Sequence, residues 1–187
     1  MIINRKISLL AISFIIPFTF YGCKIGAAGK WSMGYSLSGA SVPAGCATAS
    51  VQYFQYKPKD NQPTLVQPLL PRLLTEKLKD KIESQTNLKI VNENGDANFE
   101  GTIESYTSTP SQVSGGQQVT ASMNKLEIRI NVKYTNSKGS QYEYDSPFSR
   151  FVEYDANKTL DQIENDELEK LVDLLVEDIF NKAFVNW

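Results

Sequence analysis

The ten residues Lys125-Leu126-Glu127-Ile128-Arg129-Ile130-Asn131-Val132-Lys133-Tyr134 decide the fold class of this chain. Apolar residues occupy every second position, and charged or polar residues fill the positions between them. Because successive side chains of a β-strand point to opposite faces, this alternation predicts a strand with one buried and one exposed face. Asn136-Ser137-Lys138-Gly139 predicts a hairpin turn, and the chain returns as a strand through Tyr142 to Tyr154. Pro147 within that return indicates an edge strand or a bulge.

Further strands are predicted upstream of this hairpin. Apolar and polar residues alternate from Thr48 to Tyr56, which predicts a first strand. The same alternation from Phe99 to Tyr106 predicts another. The short apolar run Leu88 to Val91 is compatible with a strand of its own or with a connection, and the sequence leaves both open. A loop of low hydrophobicity that contains Gly115 and Gly116 precedes the long strand.

Two amphipathic helices complete the pattern. The first has Pro68 and Pro71 in its first turn, where proline is tolerated, and runs to about Gln85. The second begins at Thr159, which forms a predicted capping box with Gln162. Their apolar stripes recur at helical spacing and comprise Leu70, Leu74, Leu78 and Ile82 in the first helix and Leu160, Ile163, Leu168, Leu171, Leu175 and Ile179 in the second.

The order β-α-β-β-β-α predicts an α+β fold, a two-layer sandwich. Half-polar strands and two amphipathic helices favour both helices on one face of a mixed sheet of about four strands, with the other face free. That free face would carry Glu100, Thr102, Glu104, Glu127, Arg129, Asn131 and Lys133.

The N-terminal residues 1–22 predict a lipoprotein signal peptide. Arg5 and Lys6 precede an apolar run that is shorter than a membrane-spanning helix requires. Gly22 followed by Cys23 predicts cleavage and lipidation at Cys23, although Phe20 and Tyr21 differ from the usual lipoprotein box. A secreted protein with an ordinary cleavage site is the alternative. Residues 23–46, rich in glycine, serine and alanine, are interpreted as a lipidated tether, and residues 47–187 as a single domain.

The chain contains only two cysteines, Cys23 and Cys46. If Cys23 is acylated, Cys46 has no partner and is a lone thiol in an oxidising compartment. If Cys23 is not acylated, the two cysteines can form a disulfide. Neither alternative gives Cys46 a functional role.

Composition excludes several classes of function. Removing Arg5 and Lys6 with the signal peptide leaves 17 basic against 21 acidic residues, a net charge of −4, which argues against nucleic acid as a partner. Histidine is absent, so Ser-His-Asp and Cys-His catalysis and histidine-ligated metal sites are excluded. We therefore expect no catalytic residues, no metal and no cofactor.

Lys125, Arg129 and Lys133 form a basic stripe on the long strand. A spacing of four keeps all three on one face, about 13 Å apart at each step. Such a row can meet the phosphates of a lipid headgroup. The alternative is an ordinary ion-paired sheet surface, because Glu127 interrupts the stripe and Glu100 or Glu104 can neutralise it.

Short segments spread over nearly the whole mature chain carry a resemblance to a known family. They are Thr75-Glu76-Lys77-Leu78-Lys79-Asp80-Lys81, Gln85-Thr86-Asn87-Leu88, Gly95-Asp96, Glu100-Gly101-Thr102-Ile103, Asn124-Lys125-Leu126, Phe148-Ser149-Arg150-Phe151, Asp178-Ile179-Phe180-Asn181 and Asn186-Trp187. In order and spacing the chain resembles the LptE family of lipopolysaccharide-assembly lipoproteins of the outer membrane. The resemblance implies a helix-on-sheet domain that sits as a plug inside the outer-membrane β-barrel LptD, supports barrel assembly and helps to deliver lipopolysaccharide to the outer leaflet.

The resemblance also implies sites. No catalytic residue is transferred, the lipid attachment maps onto Cys23, and contacts with lipopolysaccharide map onto Lys125, Arg129 and Lys133. Contacts with the barrel are expected from the free sheet face and its loops, at Thr102, Asn131, Gly115 and Gly116. The protein would then be anchored in the outer membrane through its lipid, on the periplasmic side or in the barrel lumen. A general lipoprotein adaptor for another envelope assembly or secretion machine is the alternative.

Overall fold

The computed structural model describes residues 40–59, 64–111, 123–139 and 142–185. The predicted signal peptide, Cys23, Gly115 and Gly116, and the terminal pair Asn186-Trp187 lie outside the described residues. The elements are β1 (Thr48–Val51), β2 (Gln55–Tyr56), α1 (Leu70–Gln85), β3 (Lys89–Val91), β4 (Ala97–Ser111), β5 (Met123–Asn136), β6 (Tyr144–Asp155) and α2 (Leu160–Phe184).

The predicted α+β class and the mixed sheet are confirmed, but the sheet has six strands rather than about four. Its order is β3-β1-β4-β5-β6, and β2 pairs with β4 beyond the end of β1. The pairings of β1 with β3 and β4 are parallel, whereas β4, β5 and β6 are antiparallel. The additional strands arise because the run Leu88 to Val91 does form β3 and because the predicted first strand is divided into β1 and β2. The strand that contains Pro147 is an edge strand, as predicted.

Phe54 explains why the first strand is interrupted. Its side chain is fully buried, and its backbone N–H donates to the hydroxyl of Thr75 in α1 at 3.2 Å instead of to a neighbouring strand. The ring lies against Gly101 of β4, where a Cβ atom would come within 2.1 Å of it. Only a glycine at position 101 leaves room for this ring. The break between β1 and β2 therefore depends on the glycine in β4.

The core lies between the sheet and the two helices, as predicted. The inward residues of β5 are fully buried, and they are Leu126, Ile128, Ile130, Val132 and Tyr134. Aromatic rings close one end of this core, where the ring centroids of Phe99 and Tyr134 are 4.8 Å apart and those of Phe180 and Phe184 are 5.2 Å apart. The predicted faces of β5 are therefore correct.

Both predicted helices are present and are linked to each other, but α1 begins at Leu70, so Pro68 precedes the helix instead of lying in its first turn. Pro71 lies in the first turn of α1, and Thr159 and Gln162 form the capping box of α2, with the Thr159 N–H donating to Gln162 Oε1 at 3.0 Å. Lys77 of α1 bridges Glu169 and Asp173 of α2 at 2.8 and 2.6 Å. Among the described residues, no helix is long and apolar enough to cross a membrane.

The end of the predicted tether packs on the domain. The N–H of Ser41 donates to the carbonyl of Phe184 at 2.6 Å, and Ala40 and Val42 pack against the core. The carboxylate of Asp96 then accepts hydrogen bonds from the N–H groups of Ala47 and Thr48. The chain is thus fixed to the domain before β1 begins.

Candidate functional site

The sheet has one face that the helices leave uncovered, and we call it the open face. Its side chains alternate with the inward ones along β4, β5 and β6. They include Glu100, Thr102, Lys125, Glu127, Arg129, Asn131, Lys133, Asp145, Pro147, Ser149, Phe151 and Glu153. Most of the predicted free-face residues are therefore placed together, as expected.

Strand register brings the predicted barrel-contact residues side by side. Thr102 of β4 lies opposite Asn131 of β5, which lies opposite Pro147 of β6. Asn131 Nδ2 donates to the carboxylate of Asp145 at 2.5 Å. The centre of the open face is therefore polar and ordered by its own hydrogen bonds.

The basic stripe is partly neutralised by Glu127 from within the same strand. Its carboxylate accepts hydrogen bonds from Lys125 Nζ at 2.8 Å, from Arg129 Nη2 at 3.2 Å and from Ser149 Oγ at 2.8 Å. These donors, Lys125 first, lower the pKa of Glu127, while partial burial acts in the opposite direction. Two of the three predicted lipid-contact residues thus already have a carboxylate partner.

Glu100 and Glu104 do not neutralise the stripe, although the sequence allowed it. The pairing of β4 with β5 shifts between Ile103 and Ser105, so Glu104 has no partner in the register. Glu104 is 9% exposed and accepts from Lys59 Nζ at 3.2 Å. Glu100 accepts from Asn98 Nδ2 at 3.0 Å. Glu104 still lines the groove on the open-face side of the sheet, but the bulge takes it out of the regular alternation and towards Lys59 instead of the basic stripe.

A groove of about 740 Å³ lies beside the centre of the open face. One wall comes from the segment around β2, and the floor comes from β4 and β5. Its lining residues include Gln52, Tyr53, Gln55, Lys57, Lys59, Glu100, Thr102, Glu104, Asn131, Lys133 and Asp145. Within the described part of the chain, Lys133 forms no ion pair. Lys133 therefore reaches the groove without a direct ion pair, although Glu100 and Asp145 lie opposite it in the register of β4 and β6.

Sequence reasoning missed the wall of this groove and the position of Phe151. The wall depends on where β2 pairs with β4, at Gln55 opposite Thr102, which no local pattern reveals. Phe151 lies within the predicted return strand without an assigned face, and its side chain is 57% exposed on the open face. Its odd number, against the even numbers of Tyr144 and Phe148, is a signal that could have placed it there.

Within the residues that the structure describes, Cys46 forms no disulfide and is a free thiol. It is partly buried, and its Sγ donates to Asn136 Oδ1 at 3.2 Å. Burial, together with the nearby carboxylate of Asp96, raises the pKa of this thiol. In the part of the chain that the structure describes, no group of three or more acidic or cysteine side chains is placed to hold a metal ion.

The fold and the open face define a small α+β domain that offers one polar sheet face for contact. The family model described as LptE, lipopolysaccharide-assembly, matches residues 48–183. The chain therefore belongs to the LptE family of lipopolysaccharide-assembly proteins, which are not enzymes. The match covers both helices, apart from the last residue of α2, and all six strands.

Solved structures with a similar fold have low sequence identity to this chain. A minor lipoprotein from Acinetobacter baumannii has 12% identity and a TM-score of 0.43, covering 69% of this chain and 89% of its own. A protein from Xanthomonas campestris has 11% identity and a TM-score of 0.46, covering 75% and 87%. A hypothetical protein from Chlamydia trachomatis has 9% identity and a TM-score of 0.47, covering 75% and 99%. No curated protein matches the chain by sequence.

Proposed function

We propose that this protein is an outer-membrane lipoprotein that plugs an LptD-type β-barrel, helps to assemble it and supports delivery of lipopolysaccharide to the outer leaflet. The observation that carries the proposal is the open face, a polar sheet surface on a domain whose other sheet face is sealed by helices. A barrel lumen is polar, so a plug must present polar groups to it. Thr102 and Asn131, which are neighbours at the centre of this face, are the proposed barrel contacts.

The proposed function also includes an arrangement of the chain from the lipid anchor to the domain. Residues 1–22 would be removed, Cys23 would carry the lipid, and residues 23–46 would lead to the single domain of residues 47–187. The packing of residues 40–46 on the domain supports a short link between lipid and domain. Gly115 and Gly116 are proposed as a further contact with the barrel.

Lysine and arginine side chains of the basic stripe are the proposed contacts with lipopolysaccharide. Lys125 and Arg129 already pair with Glu127, whereas Lys133 lines the groove. A phosphate would have to displace a paired carboxylate at the first two residues, whereas Lys133 has Glu100 and Asp145 opposite it but pairs with neither. Within the stripe, Lys133 is therefore proposed as the principal contact.

Photo-crosslinking in cells tests the barrel partner. A crosslinking amino acid at Thr102, Arg129 or Asn131 should capture one large barrel protein, and the crosslinked band should vanish when that barrel is depleted. Depleting the lipoprotein should lower the amount of assembled barrel and cause lipopolysaccharide to accumulate in the inner membrane. If all three positions capture nothing, or only small periplasmic proteins, the protein is instead a general envelope adaptor.

A further inference from the structure

Phe151 is an exposed aromatic residue on the open face, and the charged side chains near it are held by ion pairs. It belongs to the edge strand β6, lies opposite Glu127 in the register and is 57% exposed. Lys125 Nζ lies 5.4 Å from the centre of its ring, so a cation covers one side of the aromatic face. We call the cluster of Lys125, Glu127, Arg129, Phe151 and Glu153 the rim patch.

The charges of the rim patch cancel. Lys125 and Arg129 contribute two positive charges, and Glu127 and Glu153 contribute two negative ones. Both cations are held by Glu127, whose side chain is only 17% exposed. A neutral patch provides no net attraction for a polyanionic lipid headgroup. An exposed aromatic ring that is bordered by charged side chains already paired with each other is instead suited to a protein interface, where an aromatic anchor lies inside a polar rim.

The rim patch is continuous with the proposed barrel contacts. Arg129 is two residues from Asn131 on β5, and each such step on one strand face covers about 7 Å. Ser149, opposite Arg129, separates Phe151 from Pro147 on β6. A wall that contacts Asn131 and extends along the strands for about 14 Å therefore reaches Phe151.

We infer that Phe151 is an apolar anchor that the inner wall of the outer-membrane β-barrel covers, and that the surrounding ion-paired side chains form its polar border. This inference rests on the proposed function and adds a residue that binds the barrel. The ring is on the surface before assembly because its position in β6 points to the open face, and Glu127 holds Lys125 and Arg129 through its carboxylate. On binding, the wall excludes water from the ring and the charges around it remain paired.

Phe148 offers a matched control on the same strand. It faces the helices, where its ring lies 6.0 Å from that of Tyr144 and Lys182 Nζ lies 5.5 Å from its centre. Phe151→Ala should leave the melting temperature of the purified full-length lipoprotein unchanged and lower the amount of co-purified barrel about tenfold or more. Phe148→Ala should lower the melting temperature. A crosslinking amino acid at position 151 should capture the same barrel as one at Thr102.

The outcomes separate this inference from the proposed function. If Phe151→Ala co-purifies the barrel normally while Thr102 still captures it, the anchor is wrong and the plug stands. If Phe151→Ala instead loses binding of purified lipopolysaccharide and keeps the barrel, the rim patch contacts lipid and the inference is overturned. If neither Thr102 nor Asn131 captures a barrel, the proposed function fails and the anchor fails with it.

Discussion

The ring of Phe54 occupies the space that a side chain at Gly101 would need, since a Cβ atom there would lie 2.1 Å from ring atom Cε1. This contact joins the break between β1 and β2 to the long strand β4. It also brings the segment around β2 to the wall of the groove, because Phe54 points inward while its neighbours Tyr53 and Gln55 line the groove. A local packing requirement thus shapes the surface on which function is proposed.

Gly101→Ala should therefore destabilise the protein. Forcing a methyl group against a buried ring should lower the free energy of unfolding by about 1–3 kcal/mol, measured by urea denaturation. Combining it with Phe54→Ala, which removes the ring, should make the additional cost of the alanine at position 101 much smaller. If the cost of Gly101→Ala is the same in both backgrounds, the two residues are not coupled and the explanation of the break is wrong.

The two sides of β5 should respond very differently to truncation. Ile130 is fully buried between the sheet and the helices, so Ile130→Ala should lower the free energy of unfolding by about 2–5 kcal/mol. Asn131→Ala, at the next residue on the open face, should change it by less than about 1 kcal/mol. Urea denaturation of both variants measures the difference. Comparable losses would mean that the open face is covered in the free protein.

Most of the fold could be predicted because local patterns determine it. Alternation in β5 gave the correct faces, and the spacing of leucines and the Thr159–Gln162 capping box gave the helices. Pro147 marked an edge strand because its missing N–H excludes it from a central position.

The remaining features depend on contacts between residues that are distant in the sequence. The break at Phe54 requires Thr75 and Gly101, and β3 is only three residues long and depends on its pairing with β1. In the candidate site, alternation placed Thr102, Arg129 and Asn131 correctly but could not anticipate the bulge that moves Glu104 towards Lys59. The alternation of side chains along a strand predicts on which face of the sheet a residue lies. Which side chain it contacts depends on the pairing register with the neighbouring strand, which the sequence does not reveal.

Lipidation should depend on Cys23 alone. Three acyl chains, at about 0.8 kcal/mol per buried CH₂, make membrane attachment stable, whereas a single chain gives only marginal binding. Cys23→Ala should abolish labelling with radioactive palmitate, whereas Cys46→Ala should retain full labelling. Labelled protein from the Cys23→Ala variant would contradict the assignment. Retention in the membrane fraction alone would not, because a barrel partner also holds the domain.

The thiol of Cys46 should react slowly in the folded protein. Burial and the carboxylate of Asp96 raise its pKa, so less of the reactive thiolate is present than in a free thiol, whose pKa is about 8.5. Alkylation by iodoacetamide near pH 8.5 should therefore be slower than in urea. Because the folded state holds this proton more tightly, the contribution of Cys46 to stability should fall as pH rises above the unfolded pKa. Equal rates in folded and unfolded protein would rule out this protection.

Lys133 should contribute more to lipopolysaccharide binding than Lys125, if the stripe contacts lipid. Lys133→Ala should weaken binding of purified lipopolysaccharide about two- to fivefold at low salt, because its charge is not paired in the described part of the chain. Lys125→Ala should have a smaller effect, since Glu127 already holds that ammonium group. Glu127→Gln releases Lys125 and Arg129 from a carboxylate and should strengthen binding, with the gain lost at high salt. Equal effects of the two lysine substitutions would show that ion pairing does not govern the contact. A triple variant tests the whole stripe in cells. If removing Lys125, Arg129 and Lys133 together leaves lipopolysaccharide export intact while barrel capture persists, the stripe is a solvated surface. The role of the protein is then structural.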